Sequence, residues 1–229
     1  MDSEPLKNET EREKNIIEMV DIIRVLLAKN LIDKDKLTEK EYVFQVIKTN
    51  QEIFDEVNIL LRLHDDFVES AREALAVNRP EVAVVLIATA IEQITNLFYR
   101  EVLEEDRRFT QDEITEIIRT TNINAKISWL LGLVADFVLD VLPEDSLQKD
   151  ILKLMELRNQ IVHYKAVPLL ISKGQPSEFP IKQRIREYGY EKMLEIPNQL
   201  SESLDVALHN FRVNDPEYLA LWKAVESFT

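Results

Sequence analysis

The chain has no cysteine and only three glycines, Gly132, Gly174 and Gly189, in 229 residues. The first absence excludes disulfides, thiolate nucleophiles and cysteine-held metals, and it fits a reducing compartment such as the cytoplasm. The second leaves little turn material for a many-stranded sheet and favours helices. Histidine is scarce as well: His64, His163 and His209 show no metal-ligand spacing. There is no Glu-x-x-His pair and no glycine-rich phosphate loop, so neither a metal nor another cofactor is expected. Lysine and arginine number 28 against 42 acids, a net charge of −14 that speaks against general nucleic-acid binding. A long hydrophobic run is also missing. The longest, residues 82–91, is about half of what a membrane crossing needs, and Met1 to Pro5 are polar and acidic, unlike a signal peptide. A soluble protein without membrane contact is the expectation.

What is present is apolar periodicity. Hydrophobic residues make up 45% of the chain, enough for a core, and they recur at helical spacing. Ile16, Ile17, Val20, Ile23, Leu26 and Leu27 mark an amphipathic helix that stops near Asn30. Thr38 with Glu41 reads as a capping box opening a helix to about Leu63, followed by a short helix over 66–77. Pro80 suits a first helical position. From there to about Glu105, Ala83, Ile87, Ala90, Ile91, Ile94 and Phe98 form the inner face of a central core helix, with Glu92 and Asn96 as polar members. Thr110 and Glu113 form a second capping box. Another helix carries Ile127, Leu130, Leu131 and Val134. The helix from Leu147 runs through Ile151, Leu154 and Leu157 to Ile161. Val167 to Ile171 reads as extended, and 189–211 as helical again. Trp129 and Trp222, at helical spacing, are expected as core or interface anchors.

Chemistry concentrates at the end of the helix that starts at Leu147. Leu157-Arg158-Asn159-Gln160-Ile161-Val162-His163-Tyr164 brings together a permanent planar cation suited to phosphate and an imidazole that exchanges protons near neutral pH. Residues five apart on a helix are rotated by about 140°, so Arg158 and His163 meet only if the helix ends there, the arginine reaches round, or two copies meet. From Arg158 to Arg186, six basic residues face a single acid, Glu178. Lys165, Lys173, Lys182, Arg184 and Arg186 are therefore candidate RNA contacts. Glu92 is either an acid of the site or a buried partner of Arg158, and Tyr164 is a packing residue or hydrogen-bond donor. The plain alternative gives Arg158 to the helix dipole and His163 to a cap.

Arg158-Asn159-x-x-x-His163 at the end of a late helix resembles the signature of the HEPN superfamily. The preceding layout is similar too: a short helix, then a long one rich in alanine and isoleucine with an embedded Glu92-Gln93. The resemblance spans roughly 66–165. It implies an all-α, antiparallel helical bundle over 65–165, flanked by an N-terminal helical extension (1–64) and a mixed C-terminal appendage (166–229). It also implies a homodimer with the two motifs in a shared cleft. Many members are metal-independent endoribonucleases of toxin–antitoxin, phage-defence or stress systems. On that pattern His163 moves a proton, Arg158 binds the scissile phosphate, and Asn159 orients one of these groups. Some members paired with an antitoxin carry tyrosine two places after the histidine. Here Tyr164 follows directly and Lys165 holds the second place, which puts control through such a tyrosine in doubt. The rival expectation is a non-catalytic module that binds a regulatory protein, an antitoxin or a nucleotide.

Overall fold

The computed structural model describes residues 12, 15–16, 19–20, 22–24, 26–27, 29–137, 139, 147–163 and 180–228, with backbone alone at 51–63 and 180. Those residues form helices joined by turns, with no strand among them, so the fold is all-α. The described positions between 12 and 27 are helical. They lead to α1 (Lys40–Thr49), α2 (Gln51–Ala76), α3 (Pro80–Glu101), α4 (Gln111–Thr120), α5 (Ile123–Ala135), α6 (Leu147–Val162), α7 (Pro180–Tyr188), α8 (Tyr190–Arg212) and α9 (Pro216–Glu226).

Local chemistry explains most of the boundaries. Asn30 and Asn78 adopt left-handed backbone, with φ of 54° and 56°, a conformation asparagine tolerates better than most residues. Behind each, an amide reaches back to close the helix end, Leu31 N to Leu26 O and Arg79 N to Ala74 O. Pro80 opens α3 where no amide donor is needed. The Thr110–Glu113 capping box forms in both directions. The Thr38–Glu41 box does not: α1 is preceded by Glu39 with no side-chain cap. The helix break expected near residues 64–66 lies instead at Asn50, whose side chain turns back to the Val46 carbonyl at 2.8 Å, and α2 then runs unbroken to Ala76. Gly189, at φ 96°, supplies the turn between α7 and α8.

The chain divides into two compact units, residues 1–61 with 208–229, and residues 62–207. The first has a core in which Ile16, Val20, Ile23, Leu26 and Val43 pack with Tyr218, Leu221, Val225 and Phe228. The stretch expected as one mixed appendage, 166–229, is thus split between the units. Its described residues are helical, while the extended segment expected at 167–171 lies outside the described residues.

The second unit is built on α3, whose Ala83, Ile87, Ala90, Ile91, Ile94 and Phe98 are all buried. α6, α7 and α4 pack on it. Among the described helices, α3 with its continuation to Asp106 is the one long and apolar enough to cross a membrane, and 56% of its most apolar stretch is covered by the rest of the molecule. Ion pairs through α7 link the two helices. Lys182 at the start of α7 lies 3.8 Å from Glu81 at the start of α3, and Arg184 meets Glu156 in the second half of α6. The C-terminal half of α6 is thus tied through α7 toward the start of α3.

Candidate functional site

α6 delivers the Arg158–His163 motif to that end of the unit. Ile151, Leu154, Met155 and Leu157 are buried and hold the helix down. The polar residues of the motif fall on the remaining surface. Arg158 is partly exposed, and Asn159 and His163 are exposed. The Arg158 guanidinium donates to Asn159 Oδ1 at 3.1 Å, which fixes a neighbouring pair of polar groups. His163 sits just past the last helical residue, yet its amide still donates to Asn159 O at 2.9 Å, so helical register persists through it. Among the described residues no hydrogen bond engages the His163 side chain. Tyr164, Lys165 and Lys173 lie outside the described residues.

The other candidates are dispersed. Lys182 is paired with Glu81, one of whose carboxylate oxygens is buried without a hydrogen-bond partner among the described residues. Arg184 donates through Nη1 to Gln160 Oε1 and through Nη2 to Glu156 Oε1 at 3.2 Å. Gln160 itself donates to the same Glu156 oxygen at 2.8 Å. Arg186 is exposed on α7. Glu92, on α3, lies close enough to Lys126 for its charge to act on that ammonium.

Lys126 is the polar residue that sequence reasoning passed over. It is only 6% exposed, and its ammonium donates to Asn96 Oδ1 at 2.6 Å and to the Ile118 carbonyl at 2.9 Å. Burial lowers its pKa below the usual lysine value, and the charge of Glu92 works the other way. Above it the Tyr99 hydroxyl donates to the Lys126 carbonyl at 2.6 Å, and burial pushes that phenol well above its ordinary pKa. Because Lys126 occupies an orphan carbonyl of the last turn of α4 and an amide of α3, it ties three helices together. It opens a π-type turn, Lys126–Leu130.

Trp129 does not join a core. It is 61% exposed, as Leu133 one turn on is 67% exposed. The Trp222 ring meets His209 at a tilt of 38° with centroids 4.0 Å apart, and His209 Nδ1 lies 3.1 Å from the Tyr218 hydroxyl. An open cleft of about 500 Å³, lined by Phe137, Leu147, Asp150, Glu202 and Val206 among others, lies at the opposite end of α6 from the motif. The C-terminal end carries the Arg158–Asn159 pair and the His163 imidazole on neighbouring positions of one helix end.

The chain matches no protein-family model, no curated protein and no solved structure. The motif end of α6 is therefore read from its own chemistry. It offers a partly exposed guanidinium for an anion, an amide beside it, and an exposed imidazole for proton transfer.

Proposed function

We propose that the chain is a metal-independent endoribonuclease of HEPN type, with an HEPN-like bundle in residues 65–165, acting as a homodimer on RNA in the cytoplasm. The observation that carries this reading is the solvent access of Arg158, Asn159 and His163 together at one helix end. The layout agrees with it: an apolar central helix bearing Glu92-Gln93, packed against the helix that ends in the motif.

The chemistry follows from the groups. The ribose 2′-oxygen attacks phosphorus and loses its proton to one imidazole, and the P–O5′ bond breaks as the leaving oxygen takes a proton from a second. Two copies of the chain supply two His163 side chains for these roles. The Arg158 guanidinium holds the phosphate oxygens and balances the charge that builds on them, with Asn159 orienting it. The products are a 2′,3′-cyclic phosphate and a 5′-hydroxyl. Such a reaction suits a toxin, phage-defence or stress-response setting.

A second reading, a non-catalytic module that binds a partner protein or nucleotide, draws on the net charge of −14 and on the pairing of Lys182 and Arg184 with acids. Incubation of the purified protein with total RNA in EDTA separates the two. Cleavage that yields cyclic phosphate ends and vanishes in His163→Ala, with the melting temperature unchanged, supports the nuclease. Intact RNA at high protein concentration favours the module, and cleavage that persists in His163→Ala removes the mechanism.

A further inference from the structure

Which arginine serves His163 within one chain is a question of helix geometry. Since register holds through His163, its direction from the α6 axis can be compared with that of its neighbours. Glu156, seven residues back, is offset by about 20°, Gln160 by about 60°, and Arg158 by about 140°. His163 therefore shares a face with Glu156 and Gln160, and Arg158 points to another side. The guanidinium that α7 lays on the His163 face belongs to Arg184, which grips Gln160 and Glu156 at once.

We infer that Arg184 is the phosphate-binding cation that works with His163 in the same chain, held ready by Gln160 and displaced from Glu156 when a ribose phosphate arrives. This rests on the nuclease reading and deepens it: Arg158 then serves the other face of α6, where a second copy approaches. α7 is well anchored for the task. Ile185 is fully buried, Tyr188 donates to the Asp150 carbonyl at 3.0 Å, and Lys192 at the start of α8 pairs with the Asp150 carboxylate at 2.8 Å. A guanidinium on a fixed element loses little freedom when it binds. The Glu156–Arg184 pair is open to water, with side chains 62% and 47% exposed, and exposed pairs contribute little. Glu156 engages the guanidinium through Nη2 alone, whereas a phosphate can offer two oxygens to the planar fork. Gln160 is neutral and keeps its hold on the guanidinium without competing for it.

The test is an NMR titration of the full-length protein with a 2′-deoxy dinucleotide, which carries one phosphate and cannot be cleaved by this chemistry. The His163 ring and Arg184 Nε–H signals are expected to move along one isotherm. Arg184→Ala should weaken binding about tenfold or more, and Arg184→Lys should recover part of the loss. Glu156→Gln should tighten binding several-fold, an effect that a purely structural ion pair would not give. Unchanged affinity in Arg184→Ala, or weaker binding in Glu156→Gln, overturns the inference. RNA cleavage measured in parallel keeps the two readings apart. A protein that binds through Arg184 and leaves RNA intact retires the nuclease and keeps the phosphate site. Cleavage by Arg184→Ala with wild-type dinucleotide affinity retires Arg184 alone.

Discussion

Lys126 shows what a single buried charge does to an otherwise apolar interior. Replacing it with methionine keeps the aliphatic stem and leaves Asn96 Oδ1 and the Ile118 carbonyl without their donor. The expected loss is about 2–4 kcal/mol in urea unfolding, the combined cost of two orphaned polar groups. Its pH signature has a definite sign. The folded-state pKa is lowered, so between that value and the ordinary lysine value the unfolded chain holds more protons. Stability therefore rises with pH across this window, and the slope should vanish in Lys126→Met. None of this is legible in the sequence. Asn96 and Lys126 lie thirty residues apart, and a lysine on an amphipathic helix is ordinarily solvated. Glu92 was legible as a polar member of α3, but which cation it would meet depends on how α5 folds back. The motif itself was legible because its residue types carry chemistry that packing does not require.

Among the elements, α4 owes its start to Thr110 and Glu113. The Glu113 carboxylate accepts from the Thr110 amide at 2.9 Å and from its hydroxyl at 2.8 Å, which holds its pKa below the usual range. This contribution is present above the ordinary carboxylate pKa and is lost as pH falls through the lowered folded value. Thr110→Ala should lower the melting temperature by about 2–4 °C near neutral pH. The difference from wild type should shrink in acid. Trp129 provides the contrast: a side chain 61% in water has little packing to lose, so Trp129→Ala should leave the melting temperature nearly unchanged. Helix existence and inner faces were legible from periodicity, as the buried set of α3 shows. The ends were less so. Thr38 and Glu41 have the right spacing for a box, yet the helix starts one residue after Glu39, and Asn50 ends α1 through a side-chain bond that no periodic pattern announces.

For the whole molecule, the union of both chain ends in one unit is the least legible feature. Periodicity identifies an apolar face but not the face that covers it. Removing residues 216–229 takes Tyr218, Leu221, Val225 and Phe228 out of a cluster that also holds Ile23, Leu26 and Val43. Amide hydrogen exchange in α1 should then lose its protection, while α3 and α6 keep theirs. Loss of protection throughout would show that the two units unfold together.

The cover of α3 also arrives late. Synthesis at about 5–20 residues per second leaves this apolar helix waiting several seconds for α6, which begins about forty-five residues after α3 ends. During that interval a nascent chain presents a segment with the composition of a membrane anchor. The ribosome-bound intermediate, rather than the finished protein, is where chaperone capture or misdelivery to a bilayer would occur, and slower translation beyond Ala135 should increase both.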